Sequence, residues 1–373
     1  MPKLKIERIN IEKNRRILVT SDIHGHLSHF KNILEKASFC DDDLLVIVGD
    51  IIEKGPESLK TLRYIMKLCE RGNVIVLIGN VDAWRLHMIN DVSEQGLADL
   101  YGYISWVRSC NNKNFISFYD ELTQELGFIT QSPEDILKSK DQIKSHFAKE
   151  LEFLVTLPTI LETQNYIFVH GGLHDKSTEN IGDRNLYDFL KYDNFMSTEQ
   201  CFSKYVVTGH WPVALYSDKI VQCNPIINNE KKIISLDGGC GIKNYGQLNL
   251  LIIPEIDCEI SDVYYISHDD LPLFCAKTSQ EASTDSINIR FIDNEIRVLE
   301  KGEEFSKIKH VSSGRTLDIP TSYVYDEIHC HEYTDYDLSV NSGDTLSLVK
   351  QLSGKYLVKK NGIVGWYYGE LEE

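Results

Sequence analysis

Three things are missing from this chain: a disulfide frame, a basic face and a long apolar run. Its nine cysteines, at positions 40, 69, 110, 201, 223, 240, 258, 275 and 330, are odd in number, scattered and without a Cys-x-x-Cys pair. That pattern excludes a stapled scaffold or a zinc knuckle and reads as reduced thiols in cytoplasm. No stretch reaches the roughly 18 apolar residues of a membrane span, and the opening "MPKLKIERINIEKNRR" has no apolar core of a secretion signal. Positive charge is scarce: 39 Lys and Arg against 56 Asp and Glu leave a net charge of −17 at pH 7. Such a surface repels nucleic acid and anionic membrane, so neither is expected as a partner. A phosphorylated substrate stays open, because metals or a few local cations can reverse the field inside a cleft.

What is present is ordinary for a soluble protein. The 373 residues, 42% apolar and 25% charged, suffice for one large domain and a small one. One arrangement recurs, a short apolar run followed by a polar cluster: "RILVTSDIHGH", "DLLVIVGD", "NVIVLIGNVD", "NYIFVHGG", "KYVVTGHW" and "KIISLDGG". Runs this apolar suit strands buried on both faces, and the ends of such strands are where α/β sheets assemble sites. Helices fit between the first runs. Ser28 is expected to cap one carrying Phe30, Ile33, Leu34 and Ala37, and Pro56 to open another that Gly72 stops. Residues 84–156 look like a mostly helical insertion beside the site, its clearest helix beginning at Ser132-Pro133 and running to Pro158.

Composition divides the chain further. A large α/β domain is expected over 1–268, a linker over 269–285 and a β-rich module over 286–373. Within the module, Asp293-Asn294 and Asn361-Gly362 both read as hairpin turns. The last 35 residues or so resemble a bacterial SH3-like barrel, which would offer a docking surface for a protein partner.

The strand ends supply Asp22, His24, Asp50, Asn80, His170 and His210. Two carboxylates, one amide and three imidazoles suit Mn²⁺, Fe²⁺ or Zn²⁺, whereas a soft-metal site would want thiolates. A carboxylate between two ions can bridge them, and two metals roughly 3.5–4 Å apart can bind a phosphoryl group and acidify a shared water.

In this order, "SDIHGH", "GDIIEKGPES", "GNVD", "HGG" and "TGHW" resemble the calcineurin-like metallophosphoesterases, most of all their serine/threonine phosphatase and bacterial diadenosine-tetraphosphatase branch, over about residues 14 to 255. The resemblance implies an αββα sandwich with a dinuclear centre at its rim. It implies that Asp22 and His24 hold one metal, that Asp50 bridges, and that Asn80, His170 and His210 complete the second, with manganese the first expectation and iron or zinc after it.

Three departures from the family pattern lie off the metals. Val81 stands where that branch has a histidine that helps protonate the leaving oxygen. Glu53 and Lys54 replace an acid–arginine pair, and lysine keeps the charge but loses the bidentate fork. A second phosphate-gripping arginine falls on Tyr192 or, one residue earlier, Lys191. Lys54 is therefore the candidate phosphate-binding residue, with His26 and Glu53 the candidate proton donors. The function expected is hydrolysis of a phosphate ester in phosphoprotein or a nucleotide-like substrate. Two alternatives stand beside it: a histidine-free Gly-Asn-x-Asp phosphodiesterase, and a catalytically weak, metal-loaded binding protein.

Overall fold

In the computed structural model, residues 2–110, 114–179, 181 and 184–372 are described. Two compact units emerge, one of residues 1–212 and 225–269, the other of 213–224 and 270–373.

The first unit opens with β1 (Ile6–Arg8), β2 (Ile17–Thr20), α1 (Leu27–Lys36), β3 (Leu44–Val48), α2 (Ser58–Cys69) and β4 (Val74–Leu77). Five helices follow: α3 (Asn80–Asn90), α4 (Glu94–Ser109), α5 (Phe118–Glu125), α6 (Pro133–His146) and α7 (Ala148–Thr156). Then come β5 (Ile160–Glu162), β6 (Tyr166–Val169), α8 (Tyr187–Leu190) and β7 (Tyr205–Thr208). After β8 (Val221–Gln222), which belongs to the second unit, the first closes with β9 (Ile226–Asn228), β10 (Ile233–Ser235), β11 (Leu248–Ile253) and β12 (Tyr264–His268).

Two sheets result, ordered β12-β11-β2-β3-β4 and β1-β5-β6-β7-β10-β9. The alternation of the strand dictates the layers. Ile17 and Val19, with Leu44, Val46 and Val48, face Tyr166, Phe168 and Val207 of the other sheet in one buried cluster. The residues between them, Leu18, Leu45 and Ile47, turn outward onto the helices. On the second sheet Ile167 and Val169 turn outward onto Phe189, Phe195 and Phe202. Both faces of both sheets are thus covered, giving the αββα sandwich. The insertion packs into the same core as α1 and α2, through Leu100, Ile104, Phe118, Phe147 and Leu154.

Some local expectations need correction. Ser28 does not cap α1; His26 holds that position, with no side-chain hydrogen bond to the helix's first turn. Pro56 lies two residues before α2, whose first turn is capped from elsewhere. Ser132 does cap α6, accepting from Asp135 N, but the long helix expected there breaks at Phe147, whose ring is fully buried.

In the second unit Asn361 and Gly362, at φ 50° and 76°, turn the strand Lys355–Lys360 back onto Ile363–Tyr367. The turn falls on Phe291-Ile292, closed by Arg290 and Asp293, and Asp293-Asn294 makes no hairpin. The strand before it (Asn288–Ile289) pairs with Tyr333–Thr334, and the strand after it (Ile296–Glu300) with Phe305–His310. Leu273–Ala276, in the stretch read as a linker, is a strand between Thr345–Leu352 and Leu371–Glu372.

The missing cap of α2 is supplied by Glu121 of α5, which accepts from Ser58 N at 2.7 Å and Leu59 N at 2.9 Å. Burial outweighs those donors and pushes the carboxyl up to about 7, against about 4.3 in the unfolded chain. Between those two values the folded protein holds a proton that the unfolded chain has released, so stability falls as pH rises toward 7 and levels above it. Urea unfolding of wild type and Glu121→Gln across pH 5 to 8 should therefore show the wild type losing stability relative to the variant up to about pH 7, with a constant difference beyond. Parallel curves throughout would refute this.

Candidate metal centre

Asp22 and His24 follow β2, Asp50 follows β3, Asn80 opens α3 after β4, His170 follows β6 and His210 follows β7. Parallel β2, β3 and β4 deliver their ends to one rim, and parallel β6 and β7 deliver theirs to it from the second sheet. All six residues come together there.

Four of them bend the chain out of its ordinary range: Asp22, His24, Asp50 and His210 have φ of 54°, 46°, 52° and 65°. A left-handed conformation at a non-glycine residue costs on the order of 1–3 kcal/mol and persists only where the surroundings enforce it. Glycines provide the room. A Cβ on Gly79 would lie 2.1 Å from Asp50 N and Oδ1, and one on Gly209 would lie 2.2 Å from Asp22 Oδ2.

The donor atoms form two overlapping groups. Asp22 Oδ1 and His24 Nε2, 3.8 Å apart, are both buried without a hydrogen-bond partner. With Asp50 they bring one atom each to within 4.8 Å of one another. Around the other side of Asp50, its Oδ1 is 3.4 Å from His170 Nε2. Asn80 Oδ1 lies 2.9 Å from both His170 Nε2 and His210 Nδ1. Orphaned buried atoms of this kind are costly unless something binds them, and an O/N set centred on one shared carboxylate fits a pair of divalent cations.

Neighbouring groups fix the orientations of these candidate ligands. Val48 O accepts from His170 Nδ1 at 2.7 Å and Ile52 O from His24 Nδ1 at 3.3 Å, turning Nε2 of each ring inward. Burial and then the Lys54 ammonium hold the His24 imidazolium down at about 3. Burial and then His170 hold His210 at about 4. Burial lowers His170 as well, but the Asp50 carboxylate outweighs it and the group is pushed up to about 10. Asp50 itself is kept well below the carboxylate range by His170 against its own burial.

The three other candidates fall out differently. Lys54, half-buried, lies near enough for its charge to act on His24, Asp50 and Asp237. His26 is half-buried with Nδ1 on the His24 carbonyl at 2.8 Å. Glu53, fully buried, has both oxygens engaged. One accepts from Tyr103 Oη at 2.7 Å, the other from Arg85 Nε at 2.5 Å and Phe118 N at 3.1 Å. Tyr192 stacks on His174 at 4.6 Å and packs under the second sheet, while Lys191 lies 3.9 Å from Asp193.

Sequence reasoning passed over four residues. Asp193 Oδ1 meets His210 Nε2 at 2.8 Å and so aims Nδ1 at Asn80. Asp237, at the end of the sixth apolar run, is buried with Oδ2 unpartnered, and burial pushes it up to about 6; its strand-end position was the available signal. Asp82, read as part of a Gly-Asn-x-Asp signature, accepts from Ile51 N, Ile52 N and Gly79 N at 3.0–3.2 Å and braces the Asp50 turn against α3. Arg85 is the partner of Glu53, and nothing in local sequence announced it.

The calcineurin-like phosphoesterase family model matches residues 15–226. A symmetrical bis(5'-nucleosyl)-tetraphosphatase from Buchnera aphidicola subsp. Schizaphis graminum is 39% identical over 79 residues, 21% of this chain and 28% of that protein. The chain thus spans well under half the length of that relative. One from Shewanella sp. strain MR-7 is 23% identical over 261 residues, 59% of this chain and 88% of its own. Among solved structures, a serine/threonine phosphatase from Saccharomyces cerevisiae aligns at 15% identity and TM-score 0.42 over 72% of this chain and 86% of its own. The family match covers more than half of the chain and contains all six converging residues, and the chain accordingly belongs to the calcineurin-like phosphoesterase family.

Proposed function

We propose that the protein is a hydrolase that uses two divalent cations, manganese foremost, to cleave a nucleotide-linked polyphosphate. One ion would be held by Asp22, His24 and Asp50, the other by Asp50, Asn80, His170 and His210. When bound, such ions supply Lewis acidity toward a phosphoryl oxygen and acidify a water.

The chain's own residues set which bond breaks. Val81, 4% exposed, follows the ligand Asn80, and it contributes only its backbone N–H, donated to Asp50 Oδ1 at 2.9 Å. No proton donor stands there for a departing oxygen. Glu53 cannot substitute, because Arg85, Tyr103 and Phe118 occupy its oxygens. A phosphate leaving group departs without a proton and an alkoxide does not, so this single apolar side chain carries the preference for an anhydride. Lys54 adds charge toward the phosphate oxygens, as a point rather than a fork. The names of the tetraphosphatase relatives agree with that preference.

With Mn²⁺, kcat/KM for diadenosine tetraphosphate should exceed that for a serine phosphopeptide by about the 10²–10⁴-fold that a missing general acid typically costs. Bis-p-nitrophenyl phosphate in the same panel reads out diesterase activity. Comparable rates on tetraphosphate and phosphopeptide, or no turnover across Mn²⁺, Fe²⁺ and Zn²⁺, would overturn the reading.

Asp50→Asn should reduce turnover to background. The same variant should also abolish the rise in melting temperature that Mn²⁺ gives the wild type, a rise worth about 2.7 kcal/mol at a hundredfold excess over Kd. A thermal shift retained in Asp50→Asn would remove Asp50 from the centre.

Arg85→Met should leave the Glu53 carboxylate buried and unpaired, at a cost of about 3–5 kcal/mol. Chemical denaturation measures that, and a loss below about 1 kcal/mol would mean that water or another cation replaces the guanidinium.

A further inference from the structure

One surface feature beside the centre is unused by the chemistry above. Asn80 begins α3 and Trp84 stands one turn later on the same helix, a rise of about 6 Å on nearly the same face. Trp84 is 40% exposed, and a continuous set of rings leads away from it. Tyr103 meets Trp84 at 5.6 Å, Trp106 meets Tyr103 at 5.8 Å, and Phe115 meets Trp106 at 5.6 Å, with interplanar angles of 71°, 45° and 84°. Trp106 is 53% exposed. A tryptophan at that exposure gains little for the core, and two joined through a tyrosine form a patch rather than scattered surface residues.

The strip is held rigidly. The Arg85 guanidinium sits 4.2 Å from the Trp84 ring centre and 3.8 Å from that of Tyr103, and its charge is matched by Glu53. Tyr103 Oη is tied to the same carboxylate, and Ile116 N, next to Phe115, bonds Gly55 O at 3.3 Å. The rings therefore border the Glu53–Gly55 loop that carries Lys54, and they are electrically neutral as a group. That is unlike a phosphate-gripping surface and suited to a flat, uncharged π-system attached to a phosphate.

We infer that Trp84 and Trp106 form a stacking platform for a nucleobase of the substrate. The inference rests on the nucleotide reading of the metal centre and extends it: polyphosphate lies at the metals and Lys54, and a base lies on the rings. Stacking of this kind is tolerant of base identity, because every base has a π-face, so adenine and guanine nucleotides are both accepted.

The test compares Trp106→Ala and Trp84→Ala with wild type on diadenosine tetraphosphate and on inorganic tripolyphosphate, both with Mn²⁺. The dinucleotide KM should rise about 5- to 100-fold in either variant, with kcat and the tripolyphosphate KM changing less than twofold. Trp84 also covers Arg85, so Trp106→Ala decides the matter if Trp84→Ala does not fold. Quenching of tryptophan fluorescence by AMP, with inorganic phosphate as control, reads the platform without turnover. It should be present in wild type and diminished in Trp106→Ala. Unchanged dinucleotide KM values, or equal quenching by AMP and inorganic phosphate, would overturn the platform. An inactive wild type that AMP still quenches would overturn the catalytic reading alone.

Discussion

Everything at the rim depends on where the Asp50 carboxylate is held. It is 2% exposed, and one oxygen accepts from Val81 N while lying 3.4 Å from His170 Nε2. Its other oxygen lies 3.7 Å from His24 Nε2. The side chain thus stands between Asp22 and His24 of one sheet and a second group in which Asn80, after β4 of that same sheet, meets His170 and His210 of the other. That position requires the chain to turn left-handed at Asp50 and the Gly79 backbone to pass against it with no side chain between. Asp82 secures the arrangement by taking hydrogen bonds from both partners, Ile51 and Ile52 on one side and Gly79 on the other. A buried carboxylate that accepts three backbone N–H groups is a brace, and it explains an aspartate two residues after Asn80 without giving it any chemistry.

The convergence of the six rim residues was legible in the sequence because a parallel sheet makes it so. Strands buried on both faces read as unbroken apolar runs, their carboxyl ends share one rim, and a ligand type at each end is a pattern that chance rarely assembles. The same logic could have reached Asp237, whose run ends in the same way. Asp193 and Arg85 were not legible, for a different reason. Each acts through a contact between segments distant in sequence, 17 residues for Asp193 with His210 and 32 for Arg85 with Glu53, and neither leaves a local signature. Helix ends misled where the capping group came from another element, as Glu121 does for α2. Asp293-Asn294 misled because turn chemistry marks a nearby reversal without fixing which strands then pair, and the turn here falls on Phe291-Ile292.

Glu53 and Lys54 show how one substitution changes its neighbour's meaning. Glu53, read alone, is an acid beside a metal site, and a proton donor is a fair expectation. Buried against Arg85, Tyr103 and Phe118 N, it is a structural anion. Both residues sit at positive φ, 73° and 63°, a conformation two consecutive bulky residues adopt only under constraint. The ion pair is one such constraint, beside Tyr103, Phe118 N and the Glu53 N–H donated to Ser58, so the turn that carries Lys54 is anchored in part by an arginine on α3. The helix that supplies Asn80 to the centre therefore also helps set the loop that supplies its cation.

Charge ties these features to function. The rim gathers Asp22, Asp50, Asp82 and Asp237, all buried, with Lys54 near enough for its charge to act on Asp50 and Asp237, inside a chain of net charge −17. A polyphosphate approaching that set meets repulsion at long range from the surface and at short range from the carboxylates. The burial that raises Asp22, Asp82 and Asp237 above the ordinary carboxylate range is the same unfavourable energy seen from the protein's side. Divalent cations bound there would relieve both at once, satisfying the orphaned atoms of Asp22 and His24 and inverting the local field. On this reading cation binding precedes substrate binding for electrostatic reasons, before any question of catalysis arises. The neutral aromatic strip adds what charge cannot, a preference among polyanions for those that carry a ring.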